Sequence, residues 1–447
     1  MNLPIINPFN WGIRGTVSQH LWNNDRVSLT LKDSRIVTLD KFVNENVPGL
    51  KDGARFNLKP YLFTGILQTF YLGAADFSNK FTEFYGREIV HYSDGGVSAA
   101  DWAMNEWKKS YALENTGQFN KQRFEEDAAK THPDNWPRLH PRTRYLSEEE
   151  LNEVHNDTRP LIVIQHGLAG GSHEPVIRCL VKDLMELGRF NVVVLAARGC
   201  ARTKVTVKKL FDMVSTDDLR EFIRREHERI PGRKIYGVGF SFGATLIANY
   251  LGEEGTDCPL SGVVCLSNPW NMAASSQKME NDFWSKKLFS KAIVNFLFRT
   301  VKANMAELEY NEKVDGPSFL GNHKKPSPHV FTNSNLEMAK NCSSVVEFDE
   351  IYAAPASGFK TALDYYKSGA SLNRLGKIRV PTLVINSYDD PLTGHESIPI
   401  KEAEANSNIL LCTTDLGGHL AYLDANDNSW VTQQITHFFD RLDALTV

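Results

Sequence analysis

The sequence predicts an α/β fold: a mostly parallel central sheet with helices on both faces and an inserted helical cap. Three observations carry this expectation. Short, nearly continuous apolar runs recur from residue 161 onward, as strands buried on both faces require. Amphipathic stretches long enough for helices separate them. One interval, from about Ser267 to Thr382, holds more than a hundred residues, far more than a sheet crossover needs.

The elements follow in order. Residues 1–80 read as an N-terminal extension. Residues 82–92 and the Asp94-Gly-Gly turn read as a strand and its turn, opening the sheet. Residues 113–150 are polar, carry Pro133, Pro137 and Pro141, and read as a surface excursion. The regular rhythm then begins. Leu161-Ile-Val-Ile leads into His166-Gly167, and Pro175 to Glu186 reads as a helix. Asn191-Val-Val-Val-Leu-Ala leads into Arg198-Gly199. Asp217 to Arg229 places Leu219, Phe222 and Ile223 on one helix face. Lys234 to Phe240 is a strand, Ala244 to Leu251 a helix, and Ser261 to Leu266 a strand. Pro381 to Asn386 and Asn408 to Cys412 are the last two strands. In the long interval, Asp282 to Met305 mixes Phe283, Trp284, Phe289, Phe296 and Phe298 with five lysines and arginines. This stretch reads as the heart of a cap. The chain thus divides into the extension 1–80, a core from 81–270 and 380–447, and a cap region 271–379.

Composition narrows the function classes. The 447 residues are 42% hydrophobic and 23% charged, as in ordinary globular domains. A net charge of -4 offers nucleic acid no general attraction. The six cysteines form no C-x-x-C pair, which fits a reducing intracellular compartment and speaks against a zinc or redox motif. The first residues lack the basic and apolar regions of a secretory signal. No run approaches the roughly 18 apolar residues of a membrane span; Tyr61 to Phe77 comes nearest and is interrupted by Thr64, Gln68 and Asp76. No His, Asp and Glu spacing suggests a metal site, and no cofactor is expected.

The chemistry concentrates in Gly239-Phe-Ser-Phe-Gly243, between a strand and a helix. A strand-to-helix turn this tight has room only for glycine beside the serine, and it projects Ser241 from the end of the sheet as a nucleophile. The alternative of a dinucleotide loop fails, because Gly237-x-Gly239-x-x-x-Gly243 is not the required fingerprint. A serine hydroxyl needs an imidazole to take its proton, and the imidazole needs a carboxylate to fix its tautomer. The chain supplies both in the order serine, acid, histidine. Asp389-Asp390-Pro391 follows one late strand, and His419 follows the last. We expect the triad Ser241, Asp390 and His419, with Asp389 left open as an alternative acid. His166-Gly-Leu-Ala-Gly-Gly171 follows the early strand. The backbone N–H of Leu168 should pair with that of Phe242 as an oxyanion hole, each donor worth on the order of 3 kcal/mol in the transition state. His166 reads as a residue shaping that turn, His227 and His437 as surface residues, and His173 and His395 as loop residues near the cleft.

These stretches together resemble a known family. His166-Gly-Leu-Ala-Gly-Gly-Ser-His-Glu-Pro-Val-Ile-Arg178, Arg198-Gly-Cys, Gly-Phe-Ser-Phe-Gly, Ala-Asn-Tyr-Leu-Gly252, Ser-Asn-Pro-Trp270, Asp-Asp-Pro391 and Gly-Gly-His419 are similar to the fourth family of the AB hydrolase superfamily, with its α/β-hydrolase fold. Pro60-Tyr-Leu-Phe-Thr-Gly-Ile-Leu-Gln-Thr69 and Tyr85-Gly-Arg-Glu-Ile-Val90 resemble the fungal medium-chain fatty acid ethyl ester synthase/esterases. The resemblance implies acyl transfer from acyl-CoA to ethanol, together with hydrolysis of fatty acyl esters. It also implies peripheral contact with a lipid droplet or organelle membrane as an alternative to a purely cytosolic location. Two other readings stand beside it: a lipase on monoacylglycerols or phospholipids, and an inactive hydrolase fold that binds lipid. The aromatic cap segment serves as packing, as a wall for the acyl chain, or as both.

Overall fold

The computed structural model describes residues 13–21, 28–316 and 328–447. Among them are thirteen strands: β1 (Arg14–His20), β2 (Ser28–Thr30), β3 (Ile36–Thr38), β4 (Arg55–Asn57), β5 (Tyr85–His91), β6 (Val97–Ala103), β7 (Thr143–Tyr145), β8 (Leu161–Gln165), β9 (Asn191–Ala196), β10 (Ile235–Phe240), β11 (Leu260–Leu266), β12 (Thr382–Ser387) and β13 (Ile409–Thr414). Eleven of them form one sheet in the order β4-β1-β13-β12-β11-β10-β8-β9-β6-β5-β7, while β2 and β3 make a separate hairpin. The six strands β9-β8-β10-β11-β12-β13 run parallel. Their C-terminal ends therefore open on one edge, the edge where ligands bind in such sheets.

Alternation along each strand separates two layers. Ile162 and Ile164 of β8 face the helices Pro175–Leu187 and Trp430–Leu445, meeting Leu180, Leu184, Ile435 and Phe438. Leu161 and Val163 face the other way, toward the helices Asp217–Arg229 and Phe242–Glu254, against Phe222, Ile223, Ile247 and Leu251. The helix Phe242–Glu254 has no solvent face over its first eleven residues, because the sheet lies below it and residues of the long interval lie above. Asn249 bridges that upper contact through hydrogen bonds to the carbonyls of Met213 and Gly369.

Three stretches depart from the expectations. The N-terminal residues are built into the sheet: β1 pairs antiparallel with β13, and β4 pairs with β1. A seven-residue strand edged with polar side chains, such as Arg-Gly-Thr-Val-Ser-Gln-His, carries too little apolar signal to stand out. The polar stretch 113–150 is not bare loop. It holds the helix Lys121–Thr131, the start of the helix Glu148–His155 and the short strand β7, which pairs parallel with β5 at the sheet edge. The first helix buries only Phe124, so its charged pattern hid it; the second has a full capping box, Ser147 with Glu150, worth roughly 1 kcal/mol. The strand β6, Val97–Ala103, was not anticipated at all, since its small residues and Asp101 mask the pattern.

Between β11 and β12 the chain forms a series of helices, among them Met272–Asn281, Lys291–Ala303, Asn333–Lys340, Val345–Ile351 and Ala362–Gly369. Val294, Leu297 and Val301 on one stripe of Lys291–Ala303 pack with Phe331, Phe348 and Tyr352 in a small core of their own. Phe283 and Phe296 remain half exposed.

Candidate active site

Ser241 sits immediately after β10 with φ 53° and ψ -115°, a strained backbone that the surrounding packing holds in place. Its own N–H donates to the Leu266 carbonyl at 2.9 Å, pinning the turn to β11. The glycines on either side are required by contact. A Cβ on Gly239 would lie 2.4 Å from the Cα of Ala244, and one on Gly243 would lie 2.4 Å from the carbonyl oxygen of Gln165.

The imidazole of His419 reaches Ser241 from the loop after β13. Its Nε2 lies 2.8 Å from Ser241 Oγ, and its Nδ1 lies 2.7 Å from Asp390 Oδ2. Asp390 is buried, which on its own would raise its pKa. The neighbouring His419 and the N–H groups of Thr393 and Leu392 more than offset that and hold the carboxyl below its usual range. An ionised Asp390 can only accept, so Nδ1 carries the proton and Nε2 is free to accept from the serine hydroxyl. Asp389, the other candidate acid, points elsewhere: its Oδ1 accepts from Ser387 Oγ at 2.6 Å and from the Gly418 N–H at 2.8 Å. Its second oxygen is buried without a hydrogen-bond partner, and burial pushes its pKa up to about 6.

Leu168 lies in the turn after β8, and Phe242 opens the helix after Ser241. Both flank Ser241 on the wall of one cavity. Among the described residues, neither backbone N–H is taken up by a loop or side-chain acceptor. Such N–H groups at a helix start and a tight turn are suited to a developing negative charge. His166 braces that turn from behind. Its Nε2 accepts the Ala197 N–H at 2.9 Å, so its Nδ1 carries the proton and donates to the Gly167 carbonyl at 2.6 Å. Burial lowers its pKa and keeps it neutral.

The cavity holds about 400 Å³ and also touches His419, Phe211, Met213, Phe296, Leu297 and Phe348. Three carboxyl groups interrupt its apolar wall. Burial pushes Glu174 and Asp349 up to about 7, and it raises Asp212. Tyr366 donates to Asp349 Oδ2 at 2.6 Å. His173 stacks on His140 at 3.8 Å, where burial lowers both to about 3, and His395 is exposed. His227 and His437 lie at the surface. Among the described residues, no cluster of His, Cys, Asp and Glu could hold a metal ion.

Two groups of supporting residues escaped sequence reasoning. Arg87 in β5 and Asp101 in β6 form a fully buried ion pair with two hydrogen bonds of 2.7 Å. Arg87 also donates to the Ala201 carbonyl and Ser172 to Asp101, which ties the turn at 167–172 to the turn at 198–201. Further, the N-terminal helix Gly65–Ala74 touches the loops that carry Asp390 and His419. Lone polar residues such as these have no periodicity that reveals a partner distant in sequence.

Comparison with known proteins adds the lineage. Residues 160–426 match the family described as alpha/beta hydrolase fold. Over 99% of this chain and 98% of the relative, the sequence is 55% identical to the medium-chain fatty acid ethyl ester synthase/esterase 2 of Saccharomyces cerevisiae. It is 30% identical to the monoacylglycerol lipase of the same yeast, across 91% of this chain and 85% of that one.

Proposed function

The chain belongs to the alpha/beta hydrolase fold family, and we propose that it makes medium-chain fatty acid ethyl esters from acyl-CoA and ethanol and hydrolyses such esters, with Ser241 as nucleophile. The observation that carries this is the unbroken chain Ser241, His419, Asp390 at 2.8 and 2.7 Å on the wall of a mainly apolar cavity.

In the first half-reaction Ser241 Oγ attacks the thioester carbonyl carbon while His419 Nε2 takes its proton. The carbonyl oxygen becomes an oxyanion facing the N–H groups of Leu168 and Phe242. As the tetrahedral adduct collapses, the C–S bond breaks and the imidazolium gives its proton to the departing thiolate. In the second half, ethanol or water gives its proton to His419 and attacks the acyl-enzyme. The new ester or acid leaves, and Ser241 regains its proton. No net oxidation occurs and no cofactor is needed. The 400 Å³ volume lies toward the small end of ligand sites, which suits a medium chain, and each buried methylene adds about 0.8 kcal/mol of binding. Residues 271–379 would act as the cap over this cavity.

A second substrate class is favoured by one observation: Asp349 and Tyr366 put a hydrogen-bonding pair on the cavity wall, suited to free hydroxyls of a monoacylglycerol. Six free cysteines support a reducing intracellular, cytoplasmic setting. Among the described residues no helix is long and apolar enough to cross a membrane. Half-exposed Phe283 and Phe296, among lysines of the cap, support peripheral contact with a lipid droplet or organelle membrane. The test is incubation of purified protein with octanoyl-CoA and ethanol, followed by chromatography. Ethyl octanoate is expected from the wild type and not from Ser241→Ala; its absence from both overturns the transferase reading.

A further inference from the structure

The helix Gly65–Ala74 lies against both loops that serve the catalytic histidine. Thr69 Oγ1 accepts the backbone N–H of His419 at 2.8 Å and donates to the Gly65 carbonyl at 2.6 Å. Its hydroxyl proton is thereby committed along the helix, and its oxygen lone pair is aimed at His419. Gln68 is completely buried. Its amide donates to the carbonyls of Leu62 and Leu423 at 3.0 and 3.3 Å, and its oxygen accepts the Leu423 N–H at 2.8 Å. The two side chains thus grip the loop at His419 and at Leu423, four residues further on.

The approach is backbone-close. A Cβ on Gly65 would lie 2.0 Å from the Asp389 carbonyl oxygen, and a Cβ on Gly418 would lie 2.5 Å from the Gly65 carbonyl oxygen. The start of the helix is therefore wedged between the acid-bearing loop and the histidine-bearing loop. The loop itself is strained: Gly417, Gly418, Leu420 and Tyr422 all have positive φ. Leu420 and Tyr422 need an outside restraint to hold that shape, since non-glycine residues rarely adopt it unaided. Thr69 and Gln68 supply it.

We propose that Thr69, with Gln68, is a positioning residue for His419: the N-terminal helix fixes the imidazole against Ser241, and turnover depends on that grip. The proposal rests on the reading of Ser241 and His419 as nucleophile and base. Because His419 serves both half-reactions, losing the grip slows acylation and deacylation together, while the cavity that holds the acyl chain is untouched. A displacement of the order of 1 Å in a reacting group costs up to about a hundredfold in rate.

The test compares Thr69→Ala, Thr69→Val and Thr69→Ser, with turnover of p-nitrophenyl octanoate counted per active site titrated with a fluorophosphonate. Alanine is the better helix former, so Thr69→Ala keeps the helix. The Ala and Val variants are expected to lose roughly tenfold or more in kcat with KM within about twofold. Thr69→Ser, which keeps the hydroxyl, is expected to stay within about threefold of wild type. Wild-type kcat per titrated site in Thr69→Ala overturns the proposal, as does an equal loss in Thr69→Ser. A Ser241→Ala protein that stays active would instead overturn the underlying reading of the site, so the two failures are distinct.

Discussion

Asp390→Asn and Asp389→Asn separate two adjacent carboxyls that a sequence cannot tell apart. Asp390 receives three hydrogen bonds: from His419 Nδ1 at 2.7 Å, from the Leu392 N–H at 2.8 Å and from the Thr393 N–H at 3.0 Å, the latter two on Oδ1. An asparagine here keeps its carbonyl oxygen on the two N–H groups, because its amide group cannot accept them. The amide then faces His419 Nδ1 and forces the tautomer in which Nε2 carries the proton. That imidazole cannot accept from Ser241. The same change in another serine enzyme costs about 10⁴ in kcat, equivalent to roughly 5 kcal/mol of transition-state stabilisation. Asp389 differs. Its one partnered oxygen, Oδ1, can be reproduced by an asparagine carbonyl, and the amide would replace an oxygen that has no partner. Burial pushes its pKa up to about 6, so at the assay pH the substitution removes a charge, but one that touches neither the His419 ring nor Ser241. Asp389→Asn should keep kcat within about tenfold, since its two accepted hydrogen bonds can be kept by the amide oxygen and the His419–Ser241 pair is not contacted. The assay is hydrolysis of p-nitrophenyl octanoate at pH 7.5, per titrated site. Equal losses in the two variants, or an Asp390→Asn protein retaining a tenth of wild-type kcat, refute this assignment.

Other outcomes follow from the same geometry. Gly243→Ala places a methyl 2.4 Å from the Gln165 carbonyl oxygen and 2.5 Å from that of His166, backbone atoms that cannot swing aside as a side chain would. Unfolding by urea should show a loss on the order of 2 kcal/mol or more, with fluorophosphonate labelling nearly abolished. Extending an acyl group from butanoyl to octanoyl buries four more methylenes at about 0.8 kcal/mol each. The ratio of kcat/KM should therefore favour octanoyl esters by about two hundredfold, and a flat profile would show that the chain does not enter the cavity. Asp349 has a raised pKa of about 7, so the folded state holds its proton more tightly than the unfolded chain. That stability is present below the unfolded carboxyl value and is lost as pH rises through about 7, a contribution on the order of 4 kcal/mol. Urea unfolding at pH 5 and pH 8 should show Asp349→Asn gaining on the wild type at the higher pH; an unchanged difference contradicts this.

The parallel half of the sheet was legible because strands buried on both faces read as solid apolar runs, as in Leu161-Ile-Val-Ile and Asn191-Val-Val-Val-Leu-Ala. The same strands fix where Ser241, Asp390 and His419 fall, since each follows a strand end on one sheet edge. Strands near the margins of the sheet were not legible: β1, second from one edge, and β7, at the other edge, mix polar with apolar residues and depend on pairing partners far away in the chain. Support for the site was hidden for a related reason. Thr69 and His419 are 350 residues apart, and Arg87 and Ala201 are 114 apart. Such contacts leave no periodic trace. Asp349 and Glu174 gave no signal either, because a carboxyl looks the same in sequence whether it is solvated or buried against a cavity.

The central claim is that Ser241 carries the acyl group between the two half-reactions. Octanoyl-CoA mixed with the protein in the absence of ethanol, quenched in acid within milliseconds and digested for mass spectrometry, tests it directly. The account predicts one octanoyl group on the peptide containing Ser241, lost faster when ethanol is added and replaced by ethyl octanoate in solution. An octanoyl group on another residue, or ester formation with no acyl-enzyme detectable at any quench time, would contradict it.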